Sequence, residues 1–206
     1  EALTCIFCYG IWSSEEVIIM TEIILSGGKN RRMGCNKAFV KIGDERILDR
    51  TVRVFKELFQ EIILVTNAPL EYLEYDIRIV TDIIKGKAAL GGIYTGLFYA
   101  SHSHAFVSPC DMPFLDKDFI EFMIKKIENY DIVVPRTADG FQSLHAVYSK
   151  RCIPVMKRHI DKDKLKISDI YKKSRTLVIP PDVVTSFDRQ ERMFLNVNSP
   201  GDLLRL

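Results

Sequence analysis

From Ser26 to Lys37 the chain reads SGGKNRRMGCNK. Gly27 and Gly28 carry no side chain that would block approach to their backbone N–H groups, and Lys29, Arg31, Arg32 and Lys37 follow with no acid among them. Exposed backbone donors beside concentrated positive charge make a cradle for phosphate. Arginine offers a planar fork to two phosphate oxygens and lysine a movable point charge, and a triphosphate that must be held and then cleaved uses both. The spacing excludes the two commonest phosphate loops. Five residues separate Gly28 from Gly34 and the lysine comes three positions later, so this is not GxxxxGK[ST], and no GxGxxG is present. The plain alternative is a basic surface loop.

Phosphoryl and nucleotidyl transfer need positioning and charge neutralisation more than a reactive side chain, because the attacking phosphate is already a competent nucleophile. Magnesium suits that chemistry, since it takes few protein carboxylates and fills its octahedron from water and substrate phosphates. Asp111, in Pro109-Cys110-Asp111-Met112-Pro113, is the best placed carboxylate, with a proline on each side of it to stiffen its loop. An ordinary turn aspartate is the competing reading. No catalytic histidine is expected: His102, His104, His145 and His159 are scattered and read as satisfied or solvent-facing.

The elements that must position these residues follow from hydrophobic periodicity. Ile23 to Leu25 forms a short buried strand that feeds the glycines, and residues 38–45 form an extended piece turning at Gly43-Asp44. Ile47, Leu48, Thr51, Val52, Phe55, Leu58 and Phe59 mark one face of a helix. Apolar strands are expected at Glu61–Thr66, Ile77–Thr81, His104–Ser108 and Asp131–Pro135, with helices at Ile93–Ser101 and Phe119–Ile127 between them. The last third reads as an added strand at Phe141–Tyr148, helices at Cys152–His159 and Lys166–Lys173, and a strand at Thr176–Ile179. An extended piece at Phe194–Pro200 and a short closing helix follow. This order implies an α/β protein, a three-layer α/β/α sandwich with a mainly parallel, Rossmann-like sheet. Ligands in such sheets bind at the carboxyl ends of strands, so Asn67, Asp82 and Asp111, each following a strand, should gather around the glycine loop.

With 206 residues and no linker, one catalytic domain is expected over residues 20–206, with residues 1–19 an N-terminal extension outside it. That extension has neither the basic start and cleavage site of a signal nor the length of a membrane span. A net charge of +2 argues against nucleic acid or a membrane surface as partner, and makes the basic loop a local feature suited to a small anion. Five scattered cysteines point to a reducing cytoplasm, and the Cys5–Cys8 pair is a weak metal signal on its own.

Leu25, Gly27, Gly28, Arg32, Met33, Gly34 and Lys37 fill the pattern L-x-G-G-x-x-x-R-M-G-x-x-K, which resembles the signature of the nucleotidyltransferases that include molybdenum cofactor guanylyltransferase. Val65-Thr66-Asn67, Asp82, Leu90-Gly91-Gly92, the Asp111 segment and Asn196-Val197-Asn198-Ser199-Pro200 are ordered like that family's other motifs, so the resemblance runs over about residues 22–203. It implies a fold like that of nucleotide-diphospho-sugar transferases, with GTP and molybdenum-loaded molybdopterin as substrates and Mg²⁺ as cofactor. The products would be the guanine dinucleotide form of the cofactor and pyrophosphate. It further implies Arg32, Lys37 and Asp111 as catalytic residues, with Asp111 on the metal. Gly27 and Lys37 would hold the triphosphate, Leu25, Ser26 and Gly28 belong with them to the binding residues, Asn67 and Asp82 would help bind the nucleotide, and Asn196 and Asn198 would lie on the molybdopterin side. Proteins that deliver molybdopterin or mature molybdoenzymes are the protein partners it suggests. Two positions depart from the pattern: the usual G-P-L-x-G turn reads Ala88-Ala89-Leu90-Gly91-Gly92, and the usual acid before the loop lysine is Asn36. Cytidylyl relatives usually carry Ala-Ala-Gly at positions 26–28, so Ser26-Gly27-Gly28 sides with guanylyl transfer. The alternatives are the same fold using CTP or a sugar or polyol phosphate acceptor, and a non-catalytic nucleotide-binding subunit.

Overall fold

The computed structural model describes residues 18–27 and 36–197. Strand β1 (Ile18–Ser26) is the centre of the sheet, and it is longer than its apolar triplet suggests, because Thr21 and Glu22 are buried as well. The expected domain start at Met20 falls inside this strand, whose pairing begins with Ile18 opposite Phe59. The short antiparallel ribbon β2 (Lys41–Ile42) and β3 (Glu45–Arg46) turns at Gly43 with φ +63, where glycine meets no steric penalty. Helix α1 (Ile47–Leu58) buries Ile47, Leu48, Thr51, Val52, Phe55 and Leu58, the stripe that the periodicity marks.

Strands β4 (Phe59–Thr66) and β5 (Arg78–Val80) follow, then helix α2 (Ala88–Tyr99), strand β6 (His104–Pro109) and helix α3 (Lys117–Ile124). Strands β7 (Ile132–Thr137), β8 (Gly140–Phe141) and β9 (Ala146–Ser149), helix α4 (Ile153–Asp161), strand β10 (Thr176–Ile179) and helix α5 (Pro181–Phe187) complete the described elements. The main sheet runs β10-β7-β9-β6-β1-β4-β5, with β8 paired to β7. In that order every neighbour is parallel except at β9, which lies antiparallel to both β6 and β7. The α/β/α sandwich with a mainly parallel sheet is therefore as the sequence implies.

Alternation along β1 sends Ile24 to one face with Phe55, Leu64, Phe106 and Phe119, and Ile23 to the other with Ile63, Leu90, Leu97 and Val107. Helix α2 is apolar nearly all round and lies flat on that second face. Gly96 allows this: a Cβ there would come within 2.5 Å of Ile23 Cγ2. Nearer the start of α2, a Cβ on Gly92 would lie 3.1 Å from Leu25 Cδ2, which sets that end of the helix over the end of β1, where the glycine loop begins.

Several boundaries differ from the sequence reading. Helix α2 begins at Ala88, ahead of the expected Ile93, because Leu90, Gly91 and Gly92 are buried and the glycines serve packing, Gly92 against Leu25 of β1 and Gly91 against Lys87 and Ile84. The expected strand at Phe141–Tyr148 splits into β8 and β9, separated by a turn in which His145 N donates to Gln142 O at 3.0 Å. Residues 167–173 form a 3₁₀ turn in place of an α-helix, and α5 was not anticipated. The chain beyond Val197, with its expected closing helix, lies outside the described residues, as does the Cys5–Cys8 pair. Among the described residues no helix is long and apolar enough to cross a membrane.

His145 is neither satisfied nor solvent-facing. It is fully buried with both ring nitrogens unpartnered, enclosed by Phe106, Phe119 and Phe194. Burial lowers its pKa to about 3, so it packs as a neutral aromatic ring.

Candidate active site

The carboxyl ends of β1, β4, β5 and β6 open into one cavity of about 1170 Å³. Leu25, Ser26, Gly27, Asn67, Asp82, Asp111 and Asn196 all line it, so most of the residues expected at the site converge there. Lys37 reaches it through Asp111. Gly28, Arg32 and Asn198 lie outside the described residues.

Each side chain is delivered by a simple local device. At the end of β1, a Cβ built on Gly27 would meet no atom of the described residues within 4 Å, so its backbone is open to a ligand on that side. Asn36 caps the 3₁₀ turn Lys37–Phe39, its side chain accepting from Ala38 N at 3.1 Å, and so aims Lys37 inward. At the end of β6, Cys110 N donates to Leu25 O at 3.1 Å, which keeps Asp111 beside the end of β1. Val197 N donates to Asp111 O at 3.0 Å, tying the C-terminal segment that carries Asn196 to the same loop.

Lys37 Nζ stands 3.5 Å from Asp111 Oδ2, with the two side chains 14% and 17% exposed. Desolvation raises the Asp111 carboxyl above its ordinary value, and the Lys37 ammonium works against that rise without cancelling it. Among the described residues the carboxylate is thus short of positive charge, and a further cation would favour its ionised form. No group of three or more His, Cys, Asp or Glu side chains among the described residues could hold an ion unaided. One under-compensated carboxylate facing a roomy cavity fits magnesium, which draws most of its ligands from phosphate and water. Asp111 is the residue that would hold it.

Across the cavity Asn67 Nδ2 donates to Asp82 Oδ2 at 2.7 Å, which fixes the carboxylate at the end of β5 against the end of β4. Cys110, between the two sides, is no nucleophile: burial pushes its thiol up to about 11.

Sequence reasoning missed Tyr72 and Glu71. Both line the cavity from the 3₁₀ turn Pro69–Tyr72, and no pattern in Pro69-Leu70-Glu71-Tyr72 signals it. Asn36 Nδ2 donates to Tyr72 Oη at 2.6 Å and to Glu71 Oε2 at 2.6 Å, and Tyr72 Oη in turn lies 2.5 Å from Ser26 Oγ. Because the asparagine amide donates to the phenol, the phenol hydrogen is left for Ser26. The departure at Asn36 has its reason here: an aspartate would set a second carboxylate against Glu71, whereas the amide donates to it.

The other departure also has a structural signature. Ala88 adopts φ +48, a left-handed conformation that favours glycine, and with Ala89 it forms part of the cavity wall. The backbone therefore keeps the turn for which the usual glycine is suited.

Comparison with known proteins bears on this geometry. A family model described as "MobA-like NTP transferase domain" matches residues 22–177. The chain is 37% identical over 186 residues to a molybdenum cofactor guanylyltransferase of Desulfosudis oleivorans, covering 89% of this chain and 92% of that one. It is 36% identical to a probable molybdenum cofactor guanylyltransferase of Pelotomaculum thermopropionicum, covering 90% of each. Among solved structures, molybdopterin-guanine dinucleotide biosynthesis protein A of Archaeoglobus fulgidus superposes with a TM-score of 0.79 at 25% identity, over 90% of this chain and 96% of that one. A 2-C-methyl-D-erythritol 4-phosphate cytidylyltransferase of Thermus thermophilus shares the fold, with a TM-score of 0.66 at 13% identity over 91% of this chain and 97% of that one. With a family model covering most of its length and relatives matched nearly end to end, the chain belongs to the MobA-like NTP transferase family.

Proposed function

We propose that the protein transfers GMP from GTP to molybdenum-loaded molybdopterin, forming the guanine dinucleotide cofactor and releasing pyrophosphate. The observation that carries this reading is the convergence of Lys37, Asp111, the open backbone at Gly27 and the Asn67–Asp82 pair on one cavity of about 1170 Å³. That space exceeds what a nucleotide alone needs, and it leaves room for an acceptor on the Asn196 side. The family relatives named as molybdenum cofactor guanylyltransferases support the same substrates.

In this reading the Gly27 backbone and Lys37, with Arg32 from the loop, hold the triphosphate so that its α-phosphorus faces the acceptor. Asn67 and Asp82 hold the nucleoside at the ends of β4 and β5. Asn196 and Asn198 hold the pterin, whose terminal phosphate attacks the α-phosphorus as pyrophosphate leaves. Magnesium, held by Asp111, would supply charge neutralisation for the phosphates. Lys37 adds a fixed positive charge beside that carboxylate, and the partly desolvated site strengthens both effects.

The test is pyrophosphate release in the presence of Mg²⁺, GTP and molybdenum-loaded molybdopterin, with the acceptor omitted as control. Acceptor-dependent release with formation of the dinucleotide is expected. Release that proceeds equally with a sugar phosphate, or no release with any acceptor, would overturn the reading.

A further inference from the structure

A second concave site lies on the far side of α4, and it shares no lining residue with the catalytic cavity. Its volume is about 480 Å³, and its wall carries Arg158, Lys162, Lys164, Lys166, Lys172 and Lys173 around one acid, Asp169. The chain as a whole is nearly balanced at +2, so this concentration is local. The two other acids in the stretch are engaged elsewhere: Asp161 Oδ1 pairs with Lys157 Nζ at 2.6 Å, and Asp163 Oδ1 with Lys87 Nζ at 3.0 Å. None of the six wall cations forms a salt bridge among the described residues. Like charges gathered in a concavity repel one another, and the repulsion is relieved by a bound polyanion.

His159 gives a second, independent sign. It lines the pocket, is 6% exposed, and its Nδ1 has no hydrogen-bond partner. Its Nε2 lies 3.4 Å from Lys173 Nζ. An ammonium can only donate, so Nε2 accepts and the ring hydrogen belongs on Nδ1, leaving a buried donor with no acceptor. Such a donor is costly unless something fills it. Burial and the Lys173 charge both lower the His159 pKa, so the ring is neutral when the pocket is empty.

We propose that this pocket is a second ligand site, separate from the catalytic cavity, for a small molecule carrying two or more phosphate groups. The choice of small molecule follows from shape, because a concave site of this volume with a buried donor calls for a ligand that enters it. The choice of phosphate follows from charge: one carboxylate neutralises little of a six-cation wall, whereas each phosphate brings up to two negative charges. Lysines, five of the six, favour charge spread over several oxygens more than one bidentate group.

The test uses the full chain and inorganic triphosphate, titrated at low ionic strength while the His159 ring signals are followed by ¹H–¹⁵N correlation spectroscopy. Saturable movement of the His159 signals is expected, with a rise in its pKa. In Lys166→Gln/Lys172→Gln the same titration should need at least tenfold more triphosphate, while basal pyrophosphate release from GTP stays unchanged. These exposed substitutions leave the core untouched. His159 signals that stay still while triphosphate saturates the catalytic cavity would overturn the proposal, as would an unchanged midpoint in the double variant. A glutamate-rich peptide that moves the His159 signals at lower concentration than triphosphate would also overturn it, in favour of an acidic protein partner.

Discussion

Ser26 and Tyr72 are 46 residues apart in sequence, yet their hydroxyl oxygens lie 2.5 Å apart. Because Tyr72 also accepts from Asn36, one phenol ties the residue that enters the loop to the residue that leaves it. A loop that must present its backbone to a triphosphate gains from having both ends fixed, since less freedom is then lost on binding.

Tyr72→Phe tests that relationship. The ring is 1% exposed and its packing would survive, while Ser26 loses its donor and Asn36 one acceptor. A loss of about 1 kcal/mol of stability is expected from the hydrogen bonds. The kinetic signature should be larger in KM for GTP than in kcat, because the phenol orders the loop and does not touch the reacting atoms. Thermal denaturation and steady-state kinetics read the two effects separately, and an unchanged KM would dissociate Tyr72 from loop positioning.

Asp111→Asn should lower the magnesium-dependent rate by about a hundredfold or more, since it removes the carboxylate assigned to the metal. The same substitution should stabilise the fold at neutral pH. Burial raises the Asp111 pKa, so the folded protein binds this proton more tightly than the unfolded chain does. The stabilising effect of that proton is fully present below the unfolded value near 3.8 and is lost as pH rises through the folded value. Above that window the buried charge weighs on the fold, and the neutral amide removes the burden. Denaturation of both proteins at pH 4 and pH 7 checks this: the advantage of the variant should grow from the lower to the higher pH.

Ala88→Gly addresses the altered turn. An alanine at φ +48 carries strain of about 1–2 kcal/mol that glycine does not, while glycine loses about 0.4–1 kcal/mol more entropy on folding. A net gain of up to about 1.6 kcal/mol is expected, visible as a higher melting temperature. A valine at the same position should be clearly destabilising, because branching at Cβ tolerates positive φ poorly. A lower melting temperature for Ala88→Gly would mean that the turn is not strained.

How far the site could be read from sequence follows from which interactions are local. Gly27, Asn67, Asp82 and Asp111 were legible because each stands at or near the end of an apolar strand, and parallel sheets gather such ends. Tyr72 was not, because its role depends on a hydrogen bond to Ser26, and nothing in its own surroundings announces a partner so far away. The early start of α2 was hidden for another reason: Gly91 and Gly92 look like loop residues until Leu25 is seen lying 3.1 Å from the place where a Gly92 Cβ would be. His145 was misread because a histidine in an alternating segment suggests a wet edge, whereas its neighbours in space are three phenylalanines from other segments.

The choice of nucleotide tests the assignment most directly. Guanine presents an N1–H and an amino group on its Watson–Crick edge, whereas cytosine presents one amino donor and an acceptor at N3. In the proposed reading the base faces Asp82, a carboxylate that can accept from two donors and is held in place by Asn67. Two donors can satisfy such a site. Cytosine would leave one acceptor unpaired and bring its own N3 against negative charge, and an unpaired buried acceptor costs about 1–3 kcal/mol. GTP should therefore exceed CTP by at least tenfold in kcat/KM, a ratio that needs only about 1.4 kcal/mol. The wall formed by Ala88 and Ala89 bears on the same preference, so Ala88→Gly should keep it if the backbone there already has the shape that glycine would give. The measurement is pyrophosphate release with each nucleotide and the same molybdenum-loaded acceptor. Equal rates with CTP and GTP would remove the guanylyl assignment and leave a nucleotidyltransferase of broader nucleotide choice, whereas Asp82→Asn should narrow the gap if the carboxylate is what reads the base.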